Sequence, residues 1–311
     1  MDGQINEKSK MEMELENTER DLKTSVNYLR ASEEFARRLQ IAAAYKGPDE
    51  VVHISEILRD LKEKEKLESF RAKSNIPKLD EIVGDFREGQ LVIVSASTGQ
   101  GKTSFCKTLT KNFNQQNIQS LWFSFEVPPL EFAENFPGIP NYVVPRQLRE
   151  SNISWVEKKI VEGLAKFHSK IVFIDHLHYL TDLKQFIAAK NTSILIGYIL
   201  RDLKKIALYY KVMIVLVAHL KKFDSVMELP TIDDLRDSSF IGQESDIVML
   251  LWRKPLPQNR EDKIGKLPPQ WTNQGVISVV KNRRTGKLGF VKVVYVNNEF
   301  VEEAPVDLWN S

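Results

Sequence analysis

A chain of 311 residues, 42% hydrophobic and 28% charged, can bury a large core and is not disordered as a whole. Its net charge of +2 neither demands nor excludes nucleic acid, which only a local basic surface would reveal. One cysteine, Cys106, excludes an internal disulfide and a cysteine-rich zinc site; with no secretory signal and no long apolar run, a cytoplasmic protein without a membrane partner is expected. Residues 1 to about 45 are rich in Glu, Lys and Arg. Leu29, Phe35 and Leu39 at helical spacing predict one or two exposed helices there. "KGPDE" (46–50) predicts a break, with Gly47 ending one helix and Pro48 opening the next, Asp49 and Glu50 in its first turn. Val51, Ile54, Ile57, Leu58 and Leu61 then mark one apolar face, followed by the solvated "KEKEK" (62–66).

From about residue 73 the pattern changes. "QLVIVSA" (90–96), "SLWFSFE" (120–126), "KIVFID" (170–175), "VMIVLVA" (212–218) and "DIVMLLW" (246–252) are short apolar runs that predict buried strands. Helices are expected at 102–114 and about 193–210. Strands alternating with helices imply an α/β fold with a mostly parallel sheet covered on both faces. "GVISVVKNRRTGKLGFVKVVYV" (275–296) predicts a C-terminal hairpin turning at Thr285-Gly286. The expected organisation is a helical extension at 1–48, a linker helix within 49–72 and an α/β domain at 73–311.

"SASTGQGKTS" (95–104) follows a strand and opens a helix, as a phosphate-binding loop must. Backbone N–H groups wrap the phosphates in such a loop, and the helix N-terminus adds partial positive charge. The candidate nucleotide-binding residues are Ser97, Thr98, Gly99, Gln100, Gly101, Lys102, Thr103 and Ser104. Lys102 would reach the β- and γ-phosphates and Thr103 would hold Mg2+ through its hydroxyl. Ala96 replaces the usual first glycine where the chain is leaving the strand, so a methyl is tolerable. Asp175, ending "IVFID", supplies the acidic strand end that supports the metal, and Glu126, ending "FSFE", lies at the strand edge where α/β sheets bind ligands.

Together these stretches resemble the RecA-like ATPase domain of replicative hexameric helicases, the DnaB family and its phage and mitochondrial relatives. "IPKLDEIVGDFREGQLVIVSASTGQGKT" is similar to the family's entry into its P-loop, including Leu79, Asp80 and Gly89, and the family commonly has Ala where Ala96 stands. "FSFEVP" is similar to the element whose Glu is the catalytic base, which falls on Glu126. "FIDHLHYL" is similar to the Walker B stretch. "PTIDDLRDSSFIGQESDIVMLLWR" and "KNRRTGKLG" are similar to two further family elements.

The resemblance implies ATP and Mg2+ as ligands and several residue roles. His219 would sense the γ-phosphate. Lys281 and Arg283, two apart on extended chain and so on one side, would reach the γ-phosphate of an adjacent subunit, with Arg284 a competitor of Arg283. Residues 234–246 would form a channel loop, with Arg236, Asp237, Ser239 and Gln243 toward DNA; Ser239 stands where the family usually has Gly. The helix at 51–61 would dock on a neighbouring subunit. The implied activity is an ATP-driven, ring-forming helicase motor on single-stranded DNA at the replication fork. A homo-hexamer with ATP at subunit interfaces, and a primase or helicase loader, are the implied partners. A RecA-fold recombination ATPase and a regulatory ATPase without unwinding are the alternative readings. The chain departs from DnaB proteins upstream, with fewer than 50 residues where they carry a folded N-terminal domain.

Overall fold

A computed structural model describes residues 2–47, 50–64, 70–139, 141–180, 192–220, 229–235, 238–256 and 270–304. The chain divides into two compact units, Met1–Leu67 and Glu68–Ser311.

The first unit holds one long helix, α1 (Asp2–Ala43), and a short one, α2 (Ile54–Lys64). Phe35 and Leu39 of α1 are exposed, as expected, and the side chain of Leu29 lies outside the described residues. The second helix starts later than expected. Glu50 to His53 are not helical, Pro48 and Asp49 lie outside the described residues, and Val51 precedes the helix. The reason is local: the His53 carbonyl accepts from Glu56 N at 2.9 Å and its Nδ1 accepts from Ser55 N at 3.3 Å, so His53 closes the first turn. Ile54, Ile57 and Leu58 are exposed on α2, an apolar face presented to solvent.

The second unit is built on an eight-stranded sheet. Its strands are β3 (Leu91–Ala96), β4 (Ser120–Ser124), β5 (Ile171–Asp175), β6 (Met213–His219), β7 (Ile247–Pro255), β8 (Trp271–Asn282), β9 (Gly289–Val296) and β10 (Glu299–Glu302). The spatial order is β10-β9-β8-β7-β3-β6-β5-β4. From β7 to β4 neighbouring strands are parallel; β8, β9 and β10 join antiparallel. A two-stranded ribbon, β1 (Arg71–Ala72) with β2 (Phe86–Arg87), flanks α3 (Pro77–Val83). The pair Leu79-Asp80 has a structural task here: Leu79 is fully buried, and Asp80 accepts from both Ser74 N and Ser74 Oγ at 2.7 Å.

Period-2 alternation sorts the strand residues into two cores. Val92, Val94, Val215 and Val217 face α4 (Lys102–Asn114). Leu91, Ile93, Ile214 and Leu216 face α6 (Ile153–Phe167) and α7 (Thr192–Tyr210). Helices on both faces force the strands to be apolar on both sides, which is why they read as unbroken hydrophobic runs. Trp122 fastens β4 to α4: its ring stacks on Phe173 at 4.5 Å and its Nε1 donates to Thr110 Oγ1 at 2.9 Å. Such a stack contributes about 0.5–1.5 kcal/mol beyond burial. The short helix α5 (Pro129–Glu134) follows β4, and α8 (Ser238–Glu244) precedes β7.

The expected strands, the helix after the loop and the hairpin are all present. β10 was not expected. It returns through Asn297 and Asn298, with φ of 49° and 64°, the left-handed pair of a tight hairpin turn. Among the described residues no helix is long and apolar enough to cross a membrane.

Candidate functional site

Ser97 to Gly101 connect β3 to α4. Gly99 and Gly101 have φ of 79° and 95°, a region that side chains disfavour, so both positions demand glycine. Ala96 is still strand, fully buried and in register with His219, so its methyl belongs to the core. Lys102 opens α4 and folds back across the loop, its Nζ donating to the carbonyls of Ala96 at 3.0 Å and Ser97 at 3.2 Å. Burial lowers its pKa, and the nearby Asp175 and Glu126 charges partly oppose that. Thr98 and Gly99 are exposed at the tip, Gln100 is buried, and Ser104 Oγ accepts from Tyr295 Oη at 3.4 Å.

Asp175 ends β5 beside this loop. Thr103 Oγ1 donates to its Oδ2 at 2.6 Å, while its Oδ1 is buried with no hydrogen-bond partner among the described residues. A hydroxyl next to a carboxylate with one unsatisfied oxygen is a hard-oxygen donor set that fits Mg2+. Burial is the main reason the Asp175 pKa rises to about 6; the Thr103 hydrogen bond opposes the rise. Since that value exceeds the unfolded 3.8, the folded chain keeps between about pH 4 and pH 6 a proton that the unfolded chain releases. Stability therefore falls as pH rises through this window, and the penalty is complete at pH 7.5. At about 1.4 kcal/mol per unit, it is of order 1–3 kcal/mol. Asp175→Asn should raise the ligand-free melting temperature by several degrees at pH 7.5 and by little at pH 5. Equal melting temperatures for the two proteins at pH 7.5 would show that burial does not penalise this carboxylate.

Glu126 lies two residues beyond β4, exposed, with its carboxylate, His176 and His219 bringing donor atoms within 4.8 Å of one another. The expected pair Glu126 and His219 is thus brought to one place beside the loop, with His176 as an unforeseen third member. Other neighbours were also missed. Arg253 stacks on Tyr295, its guanidinium 4.6 Å from the ring centre, and a side chain at Gly99 would lie 3.1 Å from Trp271 Nε1. Lys107, on α4, donates to the carbonyls of Phe132 at 2.9 Å and Asn135 at 3.4 Å and tethers α5, the helix that follows Glu126. Burial lowers its pKa to about 8. Cys106 is buried in the core, its thiol pushed well up by burial, as a packing residue would be.

Lys281 and Arg283 are not at this edge. Lys281 pairs with Val248, and Arg283 N donates to Asp246 O at 2.7 Å, level with Leu91, where β3 begins. The loop starts after Ala96, five strand residues away, or about 16 Å at the usual rise. Both side chains turn the same way, as their spacing predicts. Lys281 Nζ donates to the carbonyls of Gly242 and Ser245, and Arg283 Nη2 to that of Gln243. They cap the C-terminal end of α8, where cations are favoured. Arg283 also pairs with Asp246 at 3.4 Å. Arg284 turns away and donates to the carbonyls of Val83 and Asp85, at 3.1 and 3.2 Å.

The segment expected as a loop over 234–246 contains α8. Thr231 and Asp234 form a capping box on the 3-10 turn Ile232–Asp234 that precedes it. Ser239 is helical, so this position needs no glycine in this chain. A ring carbon of Phe240 would lie 2.5 Å from any side chain at Gly197, so α8 sits close on α7. Ser239 and Gln243, four apart, share an exposed face of α8. Arg236 and Asp237 lie outside the described residues.

The family described as DnaB-like helicase C terminal domain matches residues 72–166 and 147–301. A probable replicative DNA helicase of Trieres chinensis is 25% identical over 209 residues, covering 56% of this chain and 46% of that protein. The replicative DNA helicase DnaB of Helicobacter pylori (strain 26695) is 25% identical over 247 residues, covering 68% of this chain and 50% of its own. The chain spans about half the length of these curated relatives. Among solved structures, one of an ATPase domain superposes with a TM-score of 0.64 at 21% identity, covering 81% of this chain and 99% of that one. A DnaB-like replicative helicase studied for its interactions with primase superposes with a TM-score of 0.61 at 20% identity, covering 87% and 71%. The fold is that of a RecA-like α/β ATPase.

Proposed function

This chain belongs to the DnaB-like helicase C-terminal domain family, and from that premise we propose that it is an ATP-driven motor that assembles as a ring and translocates on single-stranded DNA. The observation that supports the reading is where the expected residues lie on one sheet. The loop, Thr103, Asp175 and Glu126 stand at the carboxyl ends of the parallel strands, and Lys281 and Arg283 at the opposite edge. One chain cannot bring the two groups together; a neighbouring copy can. We read that assembly as a homo-hexamer with ATP at each interface.

Lys102 and the loop N–H groups hold the β- and γ-phosphates, and Thr103 and Asp175 hold Mg2+. The ion, when bound, neutralises phosphate charge. Glu126 orients the attacking water and takes its proton. His219 donates one hydrogen bond to the γ-phosphate, a bond lost on product release. Arg283 of the neighbouring copy, beside its Lys281, stabilises charge at the transferring phosphoryl group. Capping of α8 by the same two cations supports a coupling route, because a shift of Arg283 toward ATP pulls on Gln243 and the face that carries Ser239. That face, with Arg236 and Asp237, contacts the DNA backbone, and such contacts hold strand without reading sequence. The exposed apolar side of α2 fits docking on a neighbouring subunit, and α1 offers a surface for a primase or loader.

Steady-state ATP turnover with and without single-stranded DNA tests the assignment. Stimulation of several-fold is expected; turnover indifferent to DNA would favour a regulatory ATPase.

A further inference from the structure

We infer that Glu126, His176 and His219 form a binding site for a divalent d-block cation of the zinc class, distinct from the oxygen-lined Mg2+ position, and that its occupation stops ATP hydrolysis. The second half rests on the reading of Glu126 as the group that activates water.

Three adjacent parallel strands each end in one donor. β6 ends in His219, β5 is followed directly by His176, and β4 is followed two residues on by Glu126. Neighbouring strands run about 4.8 Å apart, so tails of this length converge. The donor atoms lie within 4.8 Å of one another, and the two imidazole rings meet at 4.4 Å and 83°. Ligand atoms around tetrahedral zinc stand about 3.3 Å apart, so rotation of the exposed Glu126 and adjustment of the rings by about an ångström close the set on an ion.

Ligand chemistry separates this site from its neighbour. Two imidazoles and one carboxylate suit zinc, cobalt, nickel or copper, whereas Mg2+ takes oxygen ligands and keeps its waters. The pair Thr103 and Asp175 offers oxygen alone. An ion on the triad withdraws the Glu126 carboxylate from water and the His219 ring from phosphate, but leaves Lys102 and the loop available to nucleotide. The expected inhibition is a fall in kcat that exceeds any rise in KM for ATP.

Cobalt(II) is the probe, titrated into the full chain with millimolar Mg2+ present. One equivalent should give a visible d–d band that Zn2+ removes and added Mg2+ does not. His176→Asn and His219→Asn should each weaken cobalt binding at least tenfold, and His53→Asn, in the first unit, should not. No stoichiometric band, or a band unchanged in both histidine variants, overturns the site. The band is read without nucleotide, so it stands or falls apart from the ATPase reading. Stoichiometric cobalt binding with Zn2+-insensitive turnover keeps the site and overturns the inhibitory half.

Discussion

Lys102→Ala should reduce ATP turnover by at least about a hundred- to a thousandfold, the cost of removing one preorganised donor from a developing charge. Among the described residues of the loop, Lys102 is the one cation, and its ammonium is already held at the loop's centre by the carbonyls of Ala96 and Ser97. Phosphate oxygens would take over from those carbonyls, so the lysine need not be reorganised at the moment of reaction. The fold should survive the change. Alanine is a strong helix former at the first position of α4, and the substitution removes a charge whose burial already lowers its pKa. Circular dichroism and a thermal melt check the fold, and steady-state turnover reads the effect. Unchanged turnover rules out this loop as the site.

Arg283→Ala should leave ATP affinity within a few-fold and cut hydrolysis by about a thousandfold or more, the range for an arginine supplied across an interface. Arg283 lies at the level of Leu91, across the sheet from its own loop, so any contribution it makes to ATP is to a neighbour's. The Arg283 side chain is half exposed where it meets the buried Asp246 at 3.4 Å and the Gln243 carbonyl, and Asp246 keeps Lys204 at 2.6 Å and Leu91 N at 2.8 Å without it. The fold therefore loses little, on the order of 1 kcal/mol. Mixing inactive Lys102→Ala protein with Arg283→Ala protein should restore turnover, because some interfaces then pair an intact loop with an intact arginine. If ATP binding and hydrolysis fall together, or if mixing restores nothing, the assignment in trans is wrong.

The central sheet was legible because Val92, Ile93, Val215 and Leu216 are buried on both faces, which leaves runs with no polar face. The P-loop was legible because Gly99, Gly101, Lys102 and Thr103 are adjacent in sequence and each type answers a local need. β10 was not, since its turn is Asn-Asn and its pairing is set by β9. The start of α2 followed a cap at His53 that outweighed Pro48. Helix α8 was hidden behind a loop pattern, held by Phe240 on Gly197 and by Lys281 and Arg283 at its end. Spacing put those two cations on one side, yet could not show that their nearest partners are the carbonyls of α8. Residues 126, 176 and 219 meet only because the sheet order sets β4, β5 and β6 side by side, a tertiary fact no local pattern carries.

Strand displacement on a forked DNA duplex with ATP, wild type against Lys102→Ala, tests the central claim most directly. ATP-dependent separation by the wild type that is lost in the variant is the predicted result. Separation that persists in Lys102→Ala, or a wild type that turns over ATP on single-stranded DNA and never separates the fork, would contradict it.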